Sequence, residues 1–543
     1  MDASPVVLAT SFLGTPLSVL AFLAIIWVLR VSVRAALRRF KTTKLLGPPR
    51  TNLIFGVSKN ILDSSDAGFI YEEWAKRYGS VYQVPTTLGG KRIMLCDTKA
   101  IAHYCARETW TYVLPSVTRH FFLRQLGRGI LWAQGETHKR QRKSLTPAFS
   151  NHAIRNLTPI FYNSAYKMKA VWESLIDVND GDNAIIEVQT WYSSRLDTMG
   201  LAGFSHDFGS IDGKSSAVAK MFDSLGASSK RSALNSSLFL LSQVFPILAY
   251  VPTPRNKLLN ELQETMEEIA TILLERTKKA EDAGVLGESE EKSIIGVLRR
   301  SDTDNTRIHL FVEEVLAQMK VLLVAGYETT SSKFSPALLE LARYPDIQSK
   351  LRQELVAFGV DPTYDQLTNG LPYLDAVVHE TLRLHPPVSE FVRVAVEDDV
   401  IPLAQPVRIK SGEVVHNISV ARGTKIGINA ACINRSEALW GLDAKIFLPE
   451  RWLAEGGIPK EVQEVQGYRH LLTFMDGQRA CLGKGFAVTE FKAVLSVLVK
   501  NFVFEMRDGP DTQVEMGRGM LPRPKLAGEE GTQVPLRVSR HNG

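Results

Sequence analysis

The sequence predicts a mainly α protein with small β-sheets, organised as one large domain that follows an N-terminal transmembrane helix. Three observations support this prediction. Apolar residues recur with helical spacing over most of the chain, whereas residues 51–96 have the short, mixed pattern of a small sheet. Residues 6–29 contain no charged side chain and are numerous enough to cross a bilayer as a helix. We find no internal repeat and no low-complexity block, so one continuous core is expected.

The N-terminal run has the charge asymmetry of a membrane anchor. Only Asp2 precedes it. Basic residues follow it closely: Arg30, Arg34, Arg38, Arg39, Lys41 and Lys44. The positive-inside rule places the N-terminus in the lumen and the rest of the chain in the cytosol. A cleaved signal peptide is the alternative, but neither its positive n-region nor its small-residue cleavage site is evident.

These observations divide the chain into three expected parts. Residues 1–30 are the predicted membrane anchor, and residues 31–50 are a basic, proline-rich linker that includes Gly47-Pro48-Pro49. Residues 51–543 are the predicted large domain, which would carry any catalytic site.

The composition limits the classes of function. With 45% hydrophobic and 22% charged residues, the chain resembles an ordinary globular protein with a large core. Its net charge of +6 is too small to indicate nucleic-acid binding, and no alternation of basic and aromatic residues supports it. Four cysteines without a Cys-x-x-Cys pair argue against a disulfide framework or a zinc site. The large domain is therefore expected to face a reducing compartment.

Several elements can be placed along the large domain. Gly79 and Gly89-Gly90 mark turns of the first small sheet. Helical periodicity predicts helices over residues 307–341, 346–358 and 374–384. A valine- and isoleucine-rich segment with Pro and Gly breaks predicts a second small sheet within residues 392–428. Beyond residue 508 we expect loops and short strands.

One thiol lies in a glycine-flanked turn, in the motif Phe474-x-x-Gly477-x-Arg479-x-Cys481-x-Gly483. A helix-like apolar stretch over residues 486–499 follows, and unpaired N–H groups at a helix N-terminus favour thiolate over thiol. The glycines permit close approach of the backbone, and Arg479 offers a cationic fork for a carboxylate. A flat iron macrocycle with propionate arms would use each of these parts. A buried structural cysteine is the usual alternative for an isolated cysteine, but the complete spacing favours the cofactor.

A second motif, Ala325-Gly326-Tyr327-Glu328-Thr329-Thr330, lies inside the first predicted helix. Glycine and consecutive threonines are poor helix formers, so we expect a local distortion with room for a small ligand. Ala325 and Thr329 share a face, and an acid beside a hydroxyl is a plausible proton relay to bound dioxygen. The alternative is a helix-packing glycine with solvated Glu and Thr. Pro336 is expected to kink the helix further on.

Charged residues interrupt the apolar helix over residues 374–384. Glu380 and Arg383 are three apart and can pair on one helix face. If that face is buried, the pair needs further partners, and Arg451 in the motif Pro449-Glu450-Arg451-Trp452 is the candidate. A solvated pair on the helix surface is the alternative.

A basic run occupies residues 138–143. His138 and Arg142 are four apart and would lie on one side of a helix, where they could meet a carboxylate or a propionate. Lys139, Arg140 and Lys143 are expected to face solvent as a basic patch. Such a run is usually only a solvated helix face, although it could also dock an acidic partner.

These motifs, in this order, resemble those of the cytochrome P-450 family over about residues 45–530. The residues that fill them are similar to those of the fungal, membrane-anchored branch of that family. The resemblance rests on four motifs: Ala325-Gly326-x-Glu328-Thr329-Thr330, Glu380-x-x-Arg383, Pro449-Glu450-Arg451-Trp452 and Phe474-x-x-Gly477-x-Arg479-x-Cys481-x-Gly483. It implies the cytochrome P-450 fold and a monooxygenase that acts with O2.

The resemblance also implies a cofactor, haem b (iron protoporphyrin IX), with the Cys481 thiolate as the axial ligand of the haem iron. Thr329 and Glu328 would be catalytic, through dioxygen binding and proton delivery. Glu380, Arg383 and Arg451 would form a structural ion-pair cluster. The haem-binding residues would be Cys481, Arg479, Arg393, Arg142, His138, Phe474, Gly477, Gly483 and Ala325. His138 stands where many relatives carry Trp and keeps an N–H donor.

Electrons must come from another protein, because the chain has no glycine-rich dinucleotide motif after a strand. The resemblance implies an NADPH-dependent diflavin cytochrome reductase, docked near Lys139, Arg140, Lys143 and Lys484. It also implies an endoplasmic reticulum membrane location, single-pass, with the catalytic domain in the cytosol.

The substrate is expected to be a lipophilic small molecule, such as a terpenoid or another secondary metabolite, that the enzyme hydroxylates or epoxidises. Residues 238–254 are apolar enough either to dip into the lipid bilayer or to form a buried packing helix. By analogy with the family, residues 113–126 would line the distal pocket. Two other functions are alternatives: a haem-dependent isomerase or dehydratase of peroxides that needs no reductase, and a non-catalytic haem-binding or membrane scaffold protein.

Overall fold

The computed structural model describes residues 16–64, 66–179, 181–188, 191–209, 233–282, 293–294, 296, 311–518, 521–529 and 533–541. Within these ranges the helices are α1 Pro16–Lys41, α2 Ser58–Asp63, α3 Ala67–Tyr78, α4 Thr98–Ala106, α5 Ser116–Leu126, α6 Gly135–Leu145, α7 Asn151–Val178, α8 Trp191–Phe204, α9 Ala233–Ser242, α10 Pro254–Asp282, α11 Val312–Arg343, α12 Pro345–Phe358, α13 Tyr364–Asn369, α14 Pro372–Leu384, α15 Ala430–Asn434, α16 Glu437–Trp440, α17 Lys460–Gln463 and α18 Lys484–Asn501.

The strands in the same ranges are β1 Val81–Pro85, β2 Lys91–Leu95, β3 Tyr112–Val113, β4 Asn183–Glu187, β5 Glu390–Ala395, β6 Asp399–Arg408, β7 Val414–Val420, β8 Lys425–Asn429, β9 Phe502–Met506, β10 Val514–Arg518, β11 Pro522–Leu526 and β12 Pro535–Arg540. The protein is therefore mainly helical with small sheets, as the sequence predicts.

The predicted helices are present, with small differences at their ends. α11 covers the predicted 307–341 helix only from residue 312 onward, because Phe311 is extended and precedes its first turn. Residues 307–310 lie outside the described ranges. It is assigned as one uninterrupted helix that contains Pro336. α12 and α14 match the predictions over 346–358 and 374–384, and each begins with the proline favoured in a first helical turn.

The predicted second sheet is only partly separate from the first. β5 and β8, from within residues 390–429, join the first sheet, whose strand order is β1-β2-β8-β5-β3. β2 and β8 pair in parallel, with Ile93 opposite Ile426. Of the strands in this segment, β6 and β7 alone form a separate, two-stranded sheet. The prediction of two distinct sheets was wrong because a local pattern identifies strands but not their distant partners.

The structure bears on the predicted anchor only in part, because residues 6–15 lie outside the described ranges. α1 continues to Lys41, beyond the expected boundary at residue 30. In the part of the chain that the structure describes, no helix combines the length and the apolar character needed to cross a membrane. After α1 the chain packs onto the large domain, since Thr43 N donates to Ser419 O at 3.0 Å and the buried Leu45 pairs with Ile409.

The hydrophobic core is organised around α18, which is buried from Phe486 to Val499. Phe486 packs edge-to-face on Phe161 of α7, with ring centroids 4.8 Å apart. Phe491 packs in the same way on Phe334 of α11 at 4.6 Å. α18 thus joins α7 to α11, and its well-packed N-terminal end fixes the turn that carries Cys481.

Candidate functional site

The Cys481 turn is held in a defined shape by its backbone. Gly477 has a φ of +72°, and a Cβ atom there would lie 2.3 Å from the carbonyl oxygen of Cys105. Only glycine fits both conditions. Gly477–Arg479 form a 3-10 turn, and the Cys481 N–H donates to the carbonyl oxygen of Phe474 at 2.8 Å.

Cys481 differs from the other cysteines in its exposure. Cys105 and Cys432 are buried and Cys96 is half-buried, whereas Cys481 is exposed. Cys481 lies two residues before Gly483, which immediately precedes the first residue of α18. The expected alternative of a buried structural cysteine therefore does not describe Cys481.

The predicted arginines come together from three separate parts of the chain. Arg142 of α6 donates from Nη1 to the carbonyl oxygen of Ala480 at 2.7 Å, beside Cys481. Arg479 donates to the carbonyl oxygen of Ala133 and, at 3.1 Å, to Thr109 Oγ1. Burial first, and then the nearby charges of Arg393 and Arg142, lower the pKa of Arg479 to about 10.

Arg393 reaches the same cluster from β5. Its Nε atom lies 2.9 Å from Oε1 of Glu108, and both side chains are nearly buried. Burial raises the pKa of Glu108, although Arg393 and Arg479 oppose this shift. Neither Glu108 nor Thr109 was predicted as a site residue, because no motif accompanies them. The positive φ of Thr109, +73°, is visible only in the structure.

His138 is buried in α6, facing the same cluster. Burial lowers its pKa to about 3, and the charges of Arg479, Arg142 and Arg393 contribute in that order. The imidazole is therefore neutral at physiological pH and carries one N–H donor. The structure brings together all four predicted propionate partners.

The cluster carries more positive than negative charge. Arg393 and Arg479 interact with the carboxylate of Glu108, and Arg142 acts on Arg479 as a further cation. The carboxylate of Asp476 lies close enough to act on Glu108, so three guanidinium groups face two carboxylates. In addition, the buried Nε of Arg479 has no hydrogen-bond partner among the described residues. A buried donor and an excess of cations are costly unless an anionic group satisfies them. The two propionates of haem have the required charge, so the residues fit that cofactor.

The motif of α11 combines both of its predicted interpretations. A Cβ atom at Gly326 would lie 2.4 Å from Met199 Sδ, so this glycine serves close packing against α8. Thr329 Oγ1 donates to the carbonyl oxygen of Ala325 at 2.6 Å, which is the predicted diversion of a hydroxyl to the backbone. The helix remains continuous through this region, so the expected local distortion was wrong: the Thr329 hydroxyl shares the Ala325 carbonyl oxygen without breaking the helix.

Glu328 is buried and paired, contrary to the solvated alternative. Its Oε1 lies 2.8 Å from Nη2 of Arg523 on β11, and the two side chains are 2% and 3% exposed. The sequence did not predict this partner, because Arg523 lies in the C-terminal tail and no motif links the two residues.

The predicted ion-pair cluster around Glu380 is confirmed. Glu380 and Arg383 are fully buried, with Nη2 of Arg383 2.7 Å from Oε1 of Glu380. Arg451 is the third member, with its Nε 3.0 Å from the same oxygen. Trp452 Nε1 also donates to Glu380, at 2.9 Å. With these partners the buried charges are satisfied, as burial of an ion pair requires.

The basic run of α6 faces solvent only in part. Arg140 donates to both carboxylate oxygens of Glu314 at the start of α11, so its predicted solvation was wrong. Lys139 and Lys143 are exposed, as predicted. Lys484 lies over the ring of Tyr468, with Nζ 4.8 Å from the centroid.

The whole chain is similar in sequence to known proteins. Residues 46–527 match the Cytochrome P450 family. The chain is 53% identical over 535 residues to cytochrome P450 monooxygenase claP of Ampulloclitocybe clavipes, covering 98% of this chain and 99% of the relative. Similar relatives are claQ of the same fungus, 53% identical (96% and 98% covered), and cytochrome P450 monooxygenase 128 of Postia placenta, 35% identical (92% and 92% covered).

The chain belongs to the cytochrome P450 family, which confirms the resemblance predicted from its four motifs. It is a P450 monooxygenase, and the cofactor of this family is haem. The relatives' description as monooxygenases favours oxygen insertion over a peroxide isomerase and over a non-catalytic scaffold.

Proposed function

We propose that this P450 hydroxylates or epoxidises a hydrophobic small molecule during biosynthesis of a terpenoid or another secondary metabolite. The observation that carries the proposal is the exposed Cys481 thiol beside a cluster of three arginines with excess positive charge. When bound, haem supplies the reductive activation of O2. The residues around it bind the cofactor, orient it and manage protons.

Cys481 would be the axial ligand of the haem iron. The backbone hydrogen bond to Phe474 and the close approach of the Cys105 carbonyl group to Gly477 fix the conformation of its turn. The position of the sulfur is therefore defined before the cofactor binds. The N-terminal end of α18 and the charge of Arg142 both stabilise thiolate over thiol. Gly483 and Ala325 would give the macrocycle room on its two sides.

The propionates would be held by Arg142, Arg393, Arg479 and His138. A charge-assisted hydrogen bond to the buried Nε of Arg479 would satisfy its unpartnered donor. His138, neutral because of its low pKa, would donate an N–H without adding a further positive charge. Removal of any one arginine would then weaken haem retention.

Thr329 and Glu328 would deliver protons to the bound dioxygen. The Thr329 hydroxyl proton now points to the carbonyl oxygen of Ala325, a bond that can exchange for one to a bound ligand. Glu328 holds a carboxylate one residue away, stabilised by the buried guanidinium of Arg523. Together they would supply a proton-donating hydroxyl and a carboxylate that accepts a proton from water and passes it to that hydroxyl.

A lipophilic substrate is supported by the apolar surface around residues 238–254. Four large hydrophobic side chains are exposed on α9, on the 3-10 turn Pro246–Tyr250 and on the chain between them: Phe239, Val244, Phe245 and Ile247. This surface favours the bilayer-facing alternative for the segment over a buried packing helix.

The electron donor would be an NADPH-dependent diflavin cytochrome reductase. Lys139, Lys143 and Lys484 remain candidates for its docking face, whereas Arg140 is committed to Glu314. We further propose a single-pass anchor in the endoplasmic reticulum membrane with the catalytic domain in the cytosol. The support for the anchor is the uncharged run over residues 6–29 and the basic residues that follow it.

The proposal is tested by co-expressing the full chain with a diflavin reductase and extracting oxidised products from a panel of terpenoids and other hydrophobic secondary metabolites. Incubation under ¹⁸O2 should place one labelled oxygen atom in the product. Reductase-independent conversion, or unlabelled product, would contradict the proposed reaction. A matched reaction without reductase is the control.

A further inference from the structure

A large cavity lies beside the C-terminal end of α1. Its volume is about 1050 Å³, and its walls come from α1, α2, the β1–β2 hairpin, α9 and the chain to Pro246, β5 and β8. Residues 115–118, from the segment expected to line the distal pocket, also belong to the wall. None of the residues assigned above to haem lines it. One part of its wall is strongly basic and another part is apolar.

Seven cationic side chains line the cavity, and one of them, Arg92, is ion-paired. The other six form its basic part: Arg38, Arg39, Lys44, Lys91, Lys410 and Lys425. Glu390 is the one carboxylate among the described residues of the wall, and it is already engaged. Tyr71 donates to Glu390 at 2.9 Å, and Arg92 forms an ion pair with it. The six cations therefore face the cavity without a compensating acid in its wall.

Mutual repulsion among these cations contributes to lowered pKa values of two of the lysines. Burial lowers the pKa of Lys91, and the charges of Lys410, Arg39 and Lys44 contribute. Burial likewise lowers the pKa of Lys425, with contributions from Arg92 and Arg38. An anion in the cavity would offset the repulsion among these cations, so the basic wall favours binding of a negatively charged group.

The apolar part points to the rest of the ligand. Large hydrophobic side chains of α1 recur every three or four residues along one exposed stripe: Phe22, Ile26, Leu29, Val33, Leu37 and Phe40. Their exposed fractions range from 43% to 86%. The stripe ends at Arg38 and Arg39, where the basic part of the cavity begins, and Phe239 and Val244 line the opposite wall. A ligand with an anionic head and apolar chains matches this arrangement.

We propose that the cavity binds the phosphate group of an anionic membrane phospholipid, with the acyl chains lying along the apolar stripe of α1. This site rests on the proposed membrane association. A free phosphate ion would use the cations but would leave the apolar wall at Phe239 and Val244 without a partner and most of the volume unfilled, which is why the lipid is preferred.

A titration with monomeric lipids tests the site, because it separates a discrete site from general attraction to a charged surface. The purified haem-loaded full chain is titrated with dihexanoyl phosphatidic acid, dihexanoyl phosphatidylcholine or inorganic phosphate, and binding is measured by calorimetry. We expect saturable one-to-one binding of phosphatidic acid. The double variant Lys91→Gln/Lys410→Gln should weaken it about tenfold or more, given the free energy of each lysine near an anionic lipid.

The control is Lys99→Gln/Lys460→Gln, which removes the same charge from exposed positions outside the cavity. It should leave the affinity for phosphatidic acid unchanged. Unaltered haem content in both double variants establishes that they are folded.

Three outcomes would overturn the proposal. Equal binding of phosphatidylcholine would show that the cations are not used. Equal binding of inorganic phosphate would identify a site for a free anion. Since Val392 and Val394 flank Arg393 and also line the cavity, a shift of the haem absorption band by phosphatidic acid would identify the cavity as part of the substrate pocket. Partition onto neutral vesicles tests the membrane association separately, so the two failures can be distinguished.

Discussion

Glu328 of α11 and Arg523 of β11 form an ion pair at 2.8 Å, with both side chains almost completely buried. The pair connects the helix of the proposed proton relay to the C-terminal tail. Desolvating two charges is favourable only while each is compensated.

Replacing Arg523 should therefore destabilise the protein. Arg523→Gln removes a buried cation beside Glu328, and we expect a loss of about 3–5 kcal/mol in the free energy of unfolding. Urea unfolding of the haem-loaded protein measures it. Arg537→Gln, at an exposed position on β12, is the control and should change stability by less than about 0.5 kcal/mol. If Glu328→Gln/Arg523→Gln is no more stable than Arg523→Gln, the two side chains are not coupled.

Cys481→Ser should abolish the red-shifted absorption band of the reduced, carbon monoxide-bound protein, because serine supplies no thiolate to iron. The measurement is a difference spectrum of the purified protein. Cys96→Ser, which changes a half-buried cysteine that approaches Cys432 at 3.9 Å, should retain the band. A normal band in Cys481→Ser would mean that another residue is the ligand.

Thr329→Ala should uncouple NADPH consumption from product formation and release peroxide instead, since the hydroxyl that donates a proton is lost. Product and peroxide are measured per NADPH oxidised. Thr271→Ala removes a hydroxyl with the same helical back-bond, from Oγ1 to the carbonyl oxygen of Glu267 at 2.8 Å, at an exposed position of α10. Unchanged coupling in Thr329→Ala would remove this residue from the proton relay.

Glu380→Gln should destabilise the fold and reduce the haem retained after purification. The carboxylate accepts hydrogen bonds from Arg383, Arg451 and Trp452, and its neutralisation leaves two buried guanidinium groups in excess. We expect a loss of about 3–5 kcal/mol, measured by urea unfolding. Glu505→Gln, on the exposed face of β9, is the matched control. Equal stability of the two variants would refute a structural role for the cluster.

Asp375 should make stability depend on pH in the acid range. Burial opposes its ionisation, but hydrogen bonds and charge from His379 and Lys492 outweigh burial and lower its pKa below the ordinary value of 3.8. A carboxyl whose pKa is lowered by folding stabilises the fold above pH 3.8, and the contribution is lost as pH falls through the folded value.

Asp375→Asn should therefore be less stable than the parent at neutral pH, and the difference should shrink as the pH falls below 3.8. Urea unfolding at a series of pH values measures this. In a Lys492→Gln background the difference at neutral pH should be smaller, because the ion pair at 2.5 Å is already lost. A difference that grows on acidification would contradict the prediction.

The sequence predicts the parts of the site that are encoded by short motifs. The Cys481 turn, the Glu380–Arg383 pair and the α11 motif each lie within a few residues, so their spacing alone constrains their geometry. Arg451 could be predicted because the pair required a further buried partner. The helices α11, α12 and α14 follow from their periodicity for the same local reason.

The partners supplied by distant parts of the chain could not be predicted. Glu108 meets Arg393, and Arg523 meets Glu328, only because the tertiary fold brings separate elements together. Likewise, Arg140 was expected to face solvent because the helical spacing of α6 does not reveal that Glu314 packs against it. The joining of β5 and β8 to the first sheet has the same cause.

The parallel pairing of β2 with β8 has a consequence for biosynthesis. Ile93 leaves the ribosome long before its neighbour Ile426, and nearly all of the helical body is translated between them. Until β8 emerges, β2 presents an open edge that can recruit strands of other nascent chains. Loop closure over so many residues is slow, so completion of this sheet should be a late folding event, and a holdase chaperone that masks the edge should raise the yield of soluble enzyme.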